Sequence, residues 1–296
     1  MFCFPFMRLL LVVIPLSFVS ICMPVFASVQ EELAKLEASS GGRLGISAID
    51  TANNVRIQYH ANERFPMGCT SKVMGVSAIL KRSMKNEQLL QEKVIYQKED
   101  LLAWAPITKK HLADGMTISE LCAAAISFSD NTAMNLLTKK LGGPQGLNAF
   151  ARSIGDNAFQ LDHWWPDEAM SGPDGLDSTT PIAMGKSLQR LVLGDVLALP
   201  QREQLRAWLK SNTTGNARIR AGVPKGWTVG DKTGTGFYYG TTNDIAIIWP
   251  SKCAPMVMVI YYTNNKKDAL QREDIIASAT RLLLNDFART DQCIKL

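Results

Sequence analysis

Histidine is scarce in this chain of 296 residues: there are three, His60, His111 and His163, and no two stand at H-x-H or H-x-x-x-H spacing. That argues against a histidine-built metal site, and no cofactor is expected. A surplus of one charge is also lacking. The 32 Lys and Arg set against 27 Asp and Glu leave a formal charge of +5, and the basic residues never gather into a long run. A nucleic-acid-binding stripe is therefore excluded. No internal repeat and no low-complexity linker is visible. What is present is ordinary: 46% hydrophobic and 20% charged residues, enough apolar material for a core. Collagen-like, disordered and disulfide-framework classes fall away on these figures.

Residues 1–27 stand apart. They carry no acidic residue, one basic residue (Arg8), an apolar stretch from Leu9 to about Val19 and a small residue at Ala27. This reads as a secretory signal cleaved after Ala27. Pro15 and Pro24 interrupt the apolar run and argue against a retained anchor, and Ile21 is too bulky for a lipoprotein site at Cys22. The expected location is periplasmic or secreted. Cys69, Cys122, Cys253 and Cys293 would then meet an oxidising compartment. Their connectivity stays open at this level; a bridge between Cys253 and Cys293 is one option.

Hydrophobic patterning predicts strands near 43–49 and 55–60, around a turn at 50–54, and three more at 227–235, 243–249 and 255–262. Helices are predicted near 73–80, 117–128, 132–141, 144–154, 181–193 and 200–209, with a long closing helix over 268–287. Between them runs a polar stretch, 155–180, rich in Asp, Gly and Pro; a loop this long inside a compact domain is usually functional. The simplest architecture is α/β (α+β): early and late strands share one antiparallel sheet, and the helical middle is an inserted lobe. The boundaries are 28–66 with 212–296 for the α/β lobe, and 67–211 for the helical lobe with its long loop. A site is expected at the seam.

Three short motifs carry chemistry. Cys69-Thr70-Ser71-Lys72 opens the apolar helix, and its first and last residues lie one turn apart on one face. A nucleophile at a helix N-terminus sits in a positive potential that favours its anion, and a neighbouring lysine can relay a proton. Ser129-Asp130-Asn131 follows a predicted helix. Lys232-Thr233-Gly234-Thr235 lies on a predicted strand, where an ammonium and hydroxyls can hold a carboxylate and the Thr235 N–H can donate to an oxyanion. Each alone is most simply a cap, a turn or an exposed strand.

Taken together in this order, they match the S-x-x-K, S-D-N and K-T-G set shared by class A β-lactamases and penicillin-binding proteins. The chain resembles the class A serine β-lactamase family over nearly all of its length beyond residue 27. Further matching stretches are Glu63-Arg64-Phe65-Pro66-Met67, Gly142-Gly143-Pro144, Asn212-Thr213-Thr214-Gly215-Asn216 and Val229-Gly230-Asp231. Trp104-Ala105-Pro106-Ile107 and the segment 244–250 resemble the carbapenem-hydrolysing branch. The resemblance implies a β-lactamase/transpeptidase-like fold with a five-stranded antiparallel sheet. It also implies a monomer that opens β-lactam rings through an acyl-enzyme, without a metal, a nucleic-acid partner or a stable membrane anchor. By position, Lys72 would relay the proton in acylation and Ser129 would pass one to the leaving nitrogen. Asn131 would hold the substrate's side-chain amide. Lys232, Thr233, Gly234 and Thr235 would form the carboxylate pocket, Arg218 would reinforce it, and Trp104 would wall the cleft.

Two departures fall on the chemistry. The family's nucleophile is serine, and here the position holds Cys69, flanked by Phe65-Pro66-Met67-Gly68 and Lys72 without a gap. Gly68 and Gly236 also lack the cysteines that brace this site in many carbapenem-hydrolysing members. In the long loop the family pattern R-L-D-x-W-E-P-x-x-N meets Gln160-Leu161-Asp162-His163-Trp164-Trp165-Pro166-Asp167-Glu168-Ala169. Trp165 takes the place of the glutamate that activates the deacylating water, and Glu168 is a tentative substitute base. Placing the loop's arginine position at Gln160 predicts that Asp177 loses its ion-pair partner. Three functions follow as alternatives: a β-lactamase of impaired turnover, a β-lactam binder that stalls as the acyl form or is inactive, and, more remotely, a D-Ala-D-Ala peptidase.

Overall fold

A computed structural model describes residues 1–2, 27–166, 177–236 and 238–296. Most of the predicted signal segment, and Glu168, lie outside the described residues. In chain order the strands are β1 (Gly42–Asp50), β2 (Arg56–Tyr59), β3 (Phe65–Pro66), β4 (Lys93–Val94), β5 (Met116–Thr117), β6 (Ser178–Thr179), β7 (Thr228–Thr235), β8 (Thr242–Trp249) and β9 (Met256–Asn264). Five of them form one sheet in the order β2-β1-β9-β8-β7, every neighbour antiparallel. The predicted pairing of early with late strands is thus realised: β1 runs along β9 from Gly42 opposite Asn264 to Asp50 opposite Met256.

The sheet is buried on both faces, and its side chains sort by the period of two. Leu44, Ile46 and Ala48 of β1, Ala246 and Ile248 of β8, and Met256, Met258, Ile260 and Tyr262 of β9 belong to one apolar cluster. Ile49, Ile245, Ile247, Val257, Val259 and Tyr261 point into the other. The first face is covered by α1 (Val29–Ser40) and α9 (Glu273–Thr290). Ile275, Ile276, Ala279, Leu283, Leu284 and Phe287 make one buried stripe on α9; fully burying a side chain such as Leu283 contributes about 1.5–3 kcal/mol.

The second face meets the helical part of the chain: α2 (Lys72–Ser83), α3 (Ile118–Ser127), α4 (Asn131–Leu141), α5 (Pro144–Ser153), α6 (Pro181–Val192) and α7 (Leu199–Lys210). Here α6 packs on β1, β8 and β9, α7 packs on β7, and α2 is enclosed by α3, α4, α5 and α7. That central position explains the apolar run after Lys72: nearly every residue of α2 from Lys72 to Leu80 is buried. A single turn, α8 (Ile219–Gly222), packs on α9.

Besides the two-residue strands and the single turn α8, two longer elements differ from the sequence prediction. α1 was not anticipated, although Ser28 and Glu31 form a capping box that closes its first turn. The closing helix begins at Glu273 rather than at 268, because Arg272 is held out of the helix. Its N–H donates to Thr242 Oγ1 at 3.0 Å and its guanidinium forks onto Asp274. A disulfide joins Cys253 to Cys293, the pairing left open above, while Cys122 is a buried free thiol whose pKa burial pushes up.

Candidate active site

Cys69 lies in a 3-10 turn, Gly68–Ser71, that feeds directly into α2. The turn rests against the edge of β7. A Cβ built on Gly68 would stand 3.3 Å from the Thr235 nitrogen, and one built on Gly234 would stand 2.5 Å from the Met67 carbonyl oxygen. Gly68 also has φ +52°, in the left-handed region. Two glycines therefore let the 68–71 turn and the K-T-G strand lie backbone to backbone, with the amide of Thr235 beside the turn that carries Cys69.

The α3–α4 junction supplies the third side. Ser129 takes φ +55° between the helices, and Asp130 caps α4 by accepting from the Ala133 N–H at 2.9 Å. The same carboxylate, fully buried, accepts from the Ile107 N–H, the Thr108 N–H and the Thr108 hydroxyl at 2.9–3.0 Å. It thereby ties the segment around Trp104 to the motif. Asn131 N–H donates to the Trp104 carbonyl at 2.9 Å, and the indole N–H donates to the Phe128 carbonyl at 3.1 Å. Trp104 itself is half-exposed at the cleft mouth.

Around Cys69 the polar groups converge. Lys72 is wholly buried; its Nζ donates to the Ser129 carbonyl at 2.7 Å, to Asn131 Oδ1 at 2.6 Å and, more loosely, to Ser129 Oγ at 3.4 Å. Lys232 is equally buried and donates to Ser129 Oγ at 3.0 Å and to the Thr233 carbonyl at 2.9 Å. The Ser129 hydroxyl thus links the two amines, and the Cys69 thiol donates to Asn131 Oδ1 at 3.9 Å, the same oxygen that accepts from Lys72. Enclosure by the protein acts to raise the pKa of Cys69. The ammonium groups of Lys72 and Lys232, with hydrogen bonds from Ser129 and Lys72, outweigh it and bring the thiol below its ordinary value. Burial lowers both lysines, the charge of Cys69 opposing it, and Lys232 is pushed down to about 7.

Arg218 completes a cationic floor. Its guanidinium is buried, donating to the Gly234 and Asn243 carbonyls and to Thr235 Oγ1, and it pairs with Glu273 at 3.1 Å. Thr233 Oγ1 lies 2.6 Å from Thr214 Oγ1. The cleft so formed has a volume of about 500 Å³, and Cys69, Ser129, Asn131, Thr233, Thr235, Arg218 and Trp104 all line it. Chemically it presents a thiol inclined to ionise among three cations, with hydroxyl and amide groups arranged for a compact anionic ligand.

Other residues behave differently. Trp165 is buried in the larger apolar cluster, its backbone clamped by Asn135, which donates to the Trp165 carbonyl at 2.6 Å and accepts from its N–H at 3.1 Å. Its indole nitrogen has no hydrogen-bond partner among the described residues. Asp177 has not lost a partner. His163 Nδ1 lies 2.8 Å from its Oδ2, and the N–H groups of Asp162 and His163 donate to its Oδ1. Gln160 instead donates to Asp162. The carboxylate's partner stands three residues after Gln160, at His163, just before Trp164. Sequence reasoning also missed Thr214 and Gln271 on the cleft wall. Thr214 sits inside a quoted matching stretch. Gln271 carried no signal, because it was assigned to the helix that in fact starts after it.

Comparison with known proteins fits this architecture. A family model described as the beta-lactamase enzyme family matches residues 28–287. A beta-lactamase of Proteus vulgaris is 52% identical over 90% of this chain and 98% of its own length. Beta-lactamase Toho-1 of Escherichia coli is 52% identical over 93% of this chain and 94% of its own. The crystal structure of a beta-lactamase from Desulfarculus baarsii superposes with a TM-score of 0.85 at 47% identity, over 88% of this chain and 97% of that one. With three motifs meeting in one cleft, a matching fold and similarity running nearly end to end, the chain belongs to the β-lactamase enzyme family.

Proposed function

We propose that this protein acylates on β-lactams and hydrolyses them as a class A enzyme of slow turnover, with Cys69 as its nucleophile. The observation that carries the reading is the thiol of Cys69 in the cleft beside Ser129 and Asn131, donating to Asn131 Oδ1, with the buried amines of Lys72 and Lys232 joined through Ser129. The Cys69 thiolate attacks the lactam carbonyl, the ring C–N bond breaks, and Ser129, bridged to both lysines, delivers the proton to the departing nitrogen. The substrate carboxylate sits against Thr233, Thr235, Lys232 and Arg218, and Asn131 and Trp104 flank its side chain. The inserted helical lobe, 67–211, and the α/β lobe, 28–66 with 212–296, meet at this cleft. The enzyme works as an exported monomer. Its kinship with the carbapenem-hydrolysing branch rests on the stretch Trp104–Ile107 and the segment 244–250 alone.

Slow turnover follows from two features. Trp165 occupies the sequence position of the family's water-activating glutamate, and losing a placed base costs about 10²–10⁴ in rate. Among the described residues the cleft is lined by no carboxylate and no imidazole, which favours the second reading, a binder that stalls as the acyl form. The D-Ala-D-Ala peptidase alternative has only the shared motifs behind it. Intact-protein mass spectrometry with a penicillin over time decides among them, run beside Cys69→Ser and Lys72→Ala. A one-to-one adduct on Cys69 that decays slowly is expected; an unmodified protein with no loss of penicillin refutes the proposal. Cleavage of a D-Ala-D-Ala peptide without a penicillin adduct would revive the peptidase.

A further inference from the structure

The geometry points to a second fate for the acyl group: transfer from Cys69 to a small thiol acceptor, so that the cleft acts as a β-lactam–thiol acyltransferase. The inference rests on the acylation proposed above and deepens it.

An acyl group on Cys69 is a thioester, and a thioester exchanges with a thiolate without net change in bond type. The thiolate RS⁻ attacks the carbonyl, the bond from carbon to Sγ breaks, and Cys69 leaves as its own thiolate while the acyl group departs on RS. No oxidant, reductant or additional proton is needed. Leaving is faster the lower the pKa of the leaving thiol, and Cys69 returns to a place where Lys72 and Lys232 hold it below the ordinary value. The same cations, with Arg218 at the cleft wall, favour entry of an anionic acceptor.

Water is the weaker competitor here. It needs a base to become a nucleophile, and among the described residues three carboxylates near the motifs are already engaged: Asp130 by Ile107, Thr108 and Ala133, Asp231 by Arg220 and Asn212, and Glu273 by Arg218. A thiol brings its own ionisation. There is also room. Past Gly236 and Gln271 the cleft adjoins a second cavity of about 520 Å³ beside Tyr238, Lys267, Asp268 and Leu270. That gives an acceptor a way in while the acyl group fills the space by Trp104.

The test supplies benzylpenicillin to the protein with and without 2-mercaptoethanesulfonate and identifies the products by mass. The expected result is the penicilloyl thioester of the added thiol as main product, with the lifetime of the Cys69 adduct shortened about tenfold at millimolar thiol. Cys69→Ala should show only background reaction, and Cys69→Ser should acylate but give little thioester. An adduct that forms yet decays at one rate with or without thiol, yielding only the hydrolysed acid, overturns acyl transfer and leaves acylation standing. Equal thioester yield from Cys69→Ser also overturns it. Absence of any adduct or penicillin loss in every condition refutes the acylation itself, and the transfer with it.

Discussion

Replacing Asp130 by alanine tests whether the middle motif is primarily a structural tie. The carboxylate is fully buried and accepts four hydrogen bonds, from the N–H groups of Ala133, Ile107 and Thr108 and from the Thr108 hydroxyl. Loss of the helix cap costs about 1 kcal/mol. The remaining buried donors each lose their partner at about 1 kcal/mol or more. The sum is about 3–5 kcal/mol. Asp130→Asn keeps an acceptor oxygen and should cost about half as much. Denaturant unfolding of the three proteins measures this directly. Because Asp130 also holds the segment of Trp104 against Asn131, the alanine protein should need a higher penicillin concentration for half-maximal acylation of Cys69. A loss below about 1 kcal/mol for Asp130→Ala would refute the argument.

The rate of Cys69 acylation should follow a bell in pH. It rises as the thiol, held below its ordinary value, ionises and falls as Lys232 sheds its proton from about 7 upward, withdrawing charge from the cleft; a profile with no alkaline fall contradicts this. Folded Lys232 loses its proton near 7 while the unfolded chain keeps it to 10.5, so the unfolded state binds more protons in that window. This group alone therefore makes stability rise with pH from about 7 towards 10.5, a trend that unfolding curves across the window would reveal and that Lys232→Met should flatten. Removing the bridge with Cys253→Ser and Cys293→Ser, which frees a 40-residue separation, should cost about 4 kcal/mol in thermal or denaturant unfolding while leaving Cys69 acylation intact. His163→Ala should cost about 1–3 kcal/mol by leaving one oxygen of the buried Asp177 without its ring partner, and unchanged stability would show that bond to be idle.

Much of the fold was legible because its signals are local or periodic. Near-continuous apolar runs within 243–249 and 255–262 mark strands buried on both faces, and Gly142-Gly143-Pro144 stops one helix and starts the next where the structure has α4 end and α5 begin. Helix ends were less legible. The first turn of α9 depends on Arg272 reaching a threonine of β8, a contact 30 residues away in sequence. Within the site, the motifs announced Cys69, Lys72, Ser129, Asn131 and Lys232. They did not announce Gln271 or Thr214, whose relevance lies in where distant segments cross.

Residue order alone establishes which chemical groups this protein owns: a cysteine before a lysine-headed helix, a tryptophan pair ahead of Pro166, few histidines and no strong charge. Those are composition and order, and no folding changes them. Only the tertiary structure decided what the groups feel. It buried two amines beside one thiol and turned Ser129 into a bridge between them. It gave Asp177 its partner in His163 and packed Trp165 into the apolar core. Such effects arise from burial and from contacts such as the 3.0 Å between Ser129 and Lys232, 103 positions apart, where low dielectric and hydrogen bonding set the charge state.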